Sequence, residues 1–222
     1  MRFRTAGVAA AVAVTVLATT AGRVADANTY ADAVLTRAQS QLGHYTLDPY
    51  SLRPFDLKVA ARSISQQVFK AHLGCRMKTV TSRYGDAAAP GFRGGRVVVG
   101  FNLALAATLI TCDGTASGGS PFTGRRTTSV QCRPTRASYA LVEASGRAAG
   151  QRADTVTVRA LSLGFDCTAE PAWPLSKARQ DEASKLLSND LSTQVNRFLT
   201  GPYATVLRES AGKFVLPDPA SR

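Results

Sequence analysis

Histidine is scarce in this sequence, two residues in 222, and that removes most of the side chains from which acid–base and metal chemistry is built. His44 stands just past a helix end and His72 on the polar side of an alternating strand, so both read as surface residues rather than parts of a Ser/His/Asp device. The four cysteines match no zinc spacing, which leaves no metal site to assign. Acidic residues number 15 against 27 basic ones, and the one adjacent pair, Asp181-Glu182, sits early in a helix where the dipole accounts for it. Gly91, Gly94 and Gly95 neither form a phosphate-binding fingerprint nor open a helix, and Ser117 lacks the spacing of a nucleophile elbow. There is no Asn-x-Ser/Thr acceptor and no internal repeat. These absences leave no catalytic residue and no cofactor to name, and the expectation is a binding protein rather than an enzyme.

What is present begins with a leader. Arg2 and Arg4 precede the apolar run Val8 to Leu17, and Ala25-Asp26-Ala27 closes it with small residues at the positions a signal peptidase reads. The run is short for a membrane span, and no second one follows. Residues 1–27 are expected to be a cleaved secretory signal and 28–222 one secreted domain. The leader holds three of the basic residues and one of the acidic ones, so the remainder stays strongly basic. Such a charge attracts anionic lipid or sulfated glycan without choosing between them, and secretion argues against nucleic acid. In a secreted chain four cysteines read as two disulfides.

Along the chain, Tyr30, Val34, Leu35, Ala38 and Leu42 recur at helical spacing, with Gly43 placed to stop the helix. From Phe55 the period becomes alternating. Phe69, Ala71, Leu73, Cys75 and Met77 alternate with polar residues, and Tyr84 to Gly95 reads as a turn. Val97, Val99, Phe101, Leu103, Leu105, Ala107 and Leu109 then form one face of a strand well beyond the usual length, which belongs to a strongly curved sheet or a barrel. Asp113 to Gly124 reads as a loop, Arg125 to Glu143 as strand interrupted at Pro134, and Thr155 to Cys167 as a further strand. The last element, Ser176 to Leu199, is a helix. At about 100° per residue Ala183, Leu187, Leu191, Val195, Phe198 and Leu199 cover a face roughly 160° wide, with Arg179, Glu182, Lys185, Asn189, Ser192 and Asn196 opposite. Tyr203, Val206 and Leu207 keep the apolar spacing, so this helix should kink at Gly201-Pro202 and continue to about Glu209.

The order helix, antiparallel meander, helix makes the fold class α+β. In a hairpin, directly paired residues are centred on the turn. Cys75 and Cys112 centre near Arg93-Gly94, and Cys132 and Cys167 near Ala149-Gly150, both within expected turns. Cys112 and Cys132 centre on Phe122, which would set all four at one level. A simple meander holds Cys75 and Cys167 at opposite edges, so the expected bonds are Cys75–Cys112 and Cys132–Cys167.

An N-terminal helix followed by Tyr45-Thr46-Leu47-Asp48-Pro49, a strand opening Phe55-Asp56-Leu57-Lys58, a strand ending Arg83-Tyr84-Gly85-Asp86-Ala87, and a final helix with Phe198-Leu199-Thr200-Gly201-Pro202-Tyr203 and Val206-Leu207 together resemble the mite group-seven allergens. Through them the chain is similar to the tubular lipid-binding superfamily of juvenile-hormone-binding and bactericidal/permeability-increasing proteins. The resemblance implies a long, strongly curved antiparallel sheet wrapped around the long C-terminal helix, a lipid-like ligand between them, and no catalytic residues. The four cysteines, the positive charge and the Gly/Arg-rich Pro90–Arg96 depart from that family. A lipocalin-like barrel is the alternative fold, though it calls for more strands.

Two sites are therefore expected. The ligand-binding walls are Val97, Val99, Phe101, Leu103 and Leu105 on the sheet and Leu187, Leu191, Val195 and Phe198 on the helix. A closed core has the same sequence pattern as a pocket lining. Arg125 and Arg126, with Arg133 and Arg136 nearby, are the candidate anion-binding patch for a phospholipid surface, a sulfated glycan or a partner protein, against the default of a solvated charged face.

Overall fold

Backbone periodicity organises the chain as expected, but every long strand turns out to be two. The structure is a computed structural model that describes residues 26–61, 67–105, 107–119, 124–136 and 138–219. The expected leader lies outside these residues except for 26 and 27, which belong to the first helix. That helix, α1 (26–41), buries Tyr30, Val34, Leu35 and Ala38 as its spacing requires.

Eleven strands are assigned among the described residues. They are β1 Tyr50–Ser51, β2 Phe55–Val59, β3 Phe69–Lys78, β4 Ser82–Tyr84, β5 Gly91–Arg93, β6 Arg96–Ala104, β7 Leu109–Ser117, β8 Arg126–Pro134, β9 Tyr139–Gly146, β10 Thr155–Ser162 and β11 Phe165–Glu170. Two antiparallel sheets result. In the first the order is β1-β3-β7-β8-β11, with β2 also on β3; in the second it is β10-β9-β6-β4, with β5 also on β6. The C-terminal element is α2 (Lys177–Phe198), a π-helical turn over Leu199–Tyr203 and α3 (Ala204–Ala211).

Read as pairs, β3–β4, β7–β6, β8–β9 and β11–β10 are four ribbons that keep the same neighbour order in both sheets. The register slips by only one residue between them: Lys78 opposes Leu109 in one sheet and Ser82 opposes Ala104 in the other. Where the ladders stop, hydroxyls take over. The Thr108 Oγ1 donates to the Val80 carbonyl at 3.0 Å and accepts from its N–H at 3.2 Å. The Ser138 Oγ donates to the Gly164 carbonyl at 2.8 Å and accepts from its N–H at 3.1 Å. The Thr135 N–H reaches the same carbonyl at 2.9 Å. Thr108 and Ser138 are buried, and the residues whose backbone groups they bond, Val80 and Gly164, are half-buried.

This seam corrects three sequence expectations. The single strand Val97–Leu109 becomes β6 and β7 in different sheets, and the break shifts the alternation by one residue. Ala107 is exposed and Leu109 half-buried, while Ile110 and Cys112 point inward. The expected loop Asp113–Gly124 begins as strand, because β7 runs to Ser117. Gly114 is required there: a Cβ would sit 1.8 Å from the His72 carbonyl oxygen of the neighbouring strand. The turn Tyr84–Gly95 contains β5, which folds onto β6 through Gly94-Gly95, both at positive φ.

The helix continues past Pro202 as the spacing implied. The proline, which has no N–H to give, is absorbed in the π-helical turn rather than by a break. Ser176 occupies the N-cap, although its side chain makes no capping hydrogen bond. α2 lies closest to β2 and β11, and α3 with the π-helical turn lies against β10. One continuous cluster of buried residues joins α1, both sheets, α2 and α3.

Candidate functional site

Along α2 the buried positions are Arg179, Ala183, Leu187, Leu191, Gln194, Val195 and Phe198. The apolar members repeat every three or four residues because they face the first sheet, whose inner surface presents Leu57, Phe69, Leu73, Met77, Ile110 and Val130. Both disulfides are on that surface. Cys75 is directly opposite Cys112, and Cys132 opposite Cys167. The two bonds are offset rather than level, since Cys132 faces Ile110 and Cys112 faces Val130.

Every expected wall residue is buried. Val97, Val99, Phe101, Leu103 and Leu105, like Leu187, Leu191, Val195 and Phe198, are at most 2% exposed. They share one core but not one pair of layers. Val97, Val99, Phe101 and Leu103 belong to the second sheet and Leu105 follows its strand, whereas α2 runs closest to β2 and β11 of the first. All nine residues nevertheless belong to one continuous buried cluster.

A surface opening lies at the start of α2. A cleft of about 240 Å³ is lined by Val130, Cys167 and Ala169 from the sheet, Trp173 from the connection, and Gln180 and Ser184 from the helix. Trp173 is tilted against Phe69 with ring centroids 5.2 Å apart, and its Nε1–H donates to the Thr128 Oγ1 at 3.0 Å. At the rim Lys177 pairs with Asp181 at 2.9 Å, an exposed pair one turn apart. Trp173 was not expected from the sequence; its position between Pro171 and Pro174, straight after a strand, was the available sign.

Arg179 contradicts its placement on the polar side of the helix. It is 1% exposed, four residues before Ala183 and thus at the head of the same buried stripe. Its Nη1 donates to the Gly119 carbonyl at 3.4 Å, and its Nη2 to those of Val59 and Gln67 at 3.2 and 3.3 Å. Its Nε–H has no partner. At one turn from Ala183 the residue is marginal on a helical wheel, and its charge decided the expectation wrongly.

The four expected anion-binding arginines are all exposed but do not converge. Arg125 and Arg126 are at the start of β8, Arg133 is near its end and Arg136 beyond it. At about 3.3 Å per residue the nearest members of the two pairs, Arg126 and Arg133, are about 23 Å apart along the strand. His72, on the outer face of β3, bonds Asp56 through Nδ1 at 2.8 Å in an exposed position. Among the described residues no three His, Cys, Asp or Glu side chains are grouped to hold a metal, and no helix is long and apolar enough to cross a membrane. No protein-family model matches the sequence, and no curated protein matches it.

Proposed function

We propose that this chain is a secreted, non-enzymatic binding protein for a hydrophobic, lipid-like molecule, held between the sheets' inner surface and the apolar stripe of α2. The observation that carries this reading is the approach of α2 to both edges of one sheet. Strands β2 and β11 are four strand spacings apart, about 19 Å if the sheet were flat. Yet Cα atoms of both come within 8 Å of α2. This approach supports a sheet that curls around the helix, the tubular arrangement that the family resemblance implies. The seam bonds and the unchanged ribbon order support one bent meander rather than two independent sheets.

The driving force is desolvation of an apolar tail, and no reaction is involved. The walls are closed against each other, so entry parts α2 from β11 at the cleft beside Trp173. There the sheet has an edge, and only one row of contacts has to separate. Organic extraction and native mass spectrometry of the secreted protein test the reading, together with uptake of a fluorescent fatty acid. A co-purifying lipid or saturable uptake is expected. A protein that carries no lipid and takes up no probe would sink it.

A further inference from the structure

On that reading of the interior, we infer that the ligand is an acid, and that Arg179 holds its carboxylate at the N-terminal end of the α2 stripe. The inference starts from an uncompensated charge. An arginine side chain carries its charge at every accessible pH, and a buried charge is costly unless it is paired and fully hydrogen-bonded. Arg179 is 1% exposed, yet none of the chain's 15 acidic residues forms an ion pair with it among the described residues. Its partners are three neutral backbone carbonyls at 3.2 to 3.4 Å, long for bonds from a guanidinium.

Those carbonyls occupy three of its five N–H donors. The Nε–H is left without any acceptor, and so is the second hydrogen of Nη1. The orphaned Nε–H can donate to one carboxylate oxygen, and the carboxylate brings the missing negative charge as well. Position agrees with chemistry: Arg179 heads the row that continues through Ala183, Leu187, Leu191 and Val195. An acyl chain along those residues would end at the guanidinium.

The test compares an acid with its own ester. Oleate and methyl oleate are titrated against the full secreted protein by displacement of a fluorescent probe, with and without about 0.5 M NaCl. Oleate should bind about tenfold more tightly, the size expected of one charged hydrogen-bonded contact. The preference should survive the salt, because a buried pair is poorly screened. Arg179→Met should bring oleate down to the ester's affinity and leave the ester unchanged. Equal affinities of acid and ester in the unaltered protein would overturn the inference while leaving the lipid-binding reading intact. A preference abolished by salt would also overturn it, by assigning the effect to surface charge. Failure of both compounds to bind would remove the reading beneath it. The comparison on the unaltered protein decides the matter even if Arg179→Met does not fold.

Discussion

Tyr203 is the residue in which burial is most directly measurable. It is fully buried in the π-helical turn, stacks on Phe198 with ring centroids 5.5 Å apart, and shares a hydrogen bond of 2.6 Å with Thr81. Burial pushes its phenol up to about 12, from an ordinary value near 10, while the bond to Thr81 opposes this. Burial also raises Tyr30, whose hydroxyl has no partner. Below pH 10 both folded and unfolded chains keep these protons, and stability does not depend on them. Between about 10 and 12 the unfolded chain releases the Tyr203 proton and the folded one holds it, so stability falls as pH rises. The loss should reach about 2–3 kcal/mol for Tyr203 by pH 12. Urea unfolding followed across that range should show the decline, and Tyr203→Phe should make it shallower, leaving the part that Tyr30 contributes. An equal slope in the variant would mean that the phenol does not titrate differently on folding. Tyr203 was legible as apolar from its spacing, whereas Arg179 was not legible as buried, because no local pattern says that three distant carbonyls converge on a guanidinium.

At the scale of elements, the seam decides how the sheets relate. Thr108 is a short hydroxyl among apolar neighbours, and its bonds to both backbone groups of Val80 replace the ladder where β3–β4 and β7–β6 change sheet. Thr108→Val keeps the shape and removes the hydroxyl, leaving a partly buried N–H and carbonyl without that partner. It should cost about 1–3 kcal/mol in urea unfolding and speed hydrogen exchange at the Val80 amide. A loss under about 0.5 kcal/mol with unchanged exchange would show that the seam does not depend on this residue. The cysteine pairing was readable from numbering because the ribbons keep their register on both sides of the seam, so midpoints still fall in turns. The division into two sheets was not readable. A break that shifts the alternation by one residue leaves Ala107 and Leu109 looking continuous with Val97–Leu105, and only the next strand's partners reveal the change.

For the whole molecule the question is what its positive charge does. Arg125 and Arg126 are separated from Arg133 and Arg136 by most of β8. A polyanion gripped at one patch would depend on one pair, but spread charge makes the pairs equivalent. Arg125→Ala with Arg126→Ala and Arg133→Ala with Arg136→Ala should each lower the salt needed for elution from heparin, and by equal amounts. A markedly larger effect of the first pair would restore a dedicated anion site at the start of β8.

The spacing of apolar residues by itself determined the helix at each end, the antiparallel strands between them, the continuation past Pro202 and the cysteine partners. Each of these depends on contacts repeated at a fixed interval along the chain. The tertiary structure alone decided that the meander divides into two sheets at a line of buried hydroxyls, that β2 and β11 both reach α2, and that Arg179 is enclosed without an ion-pair partner. Those features depend on which segments meet in space, and residues as far apart as Val59, Gly119 and Arg179 carry no mark of one another in the sequence.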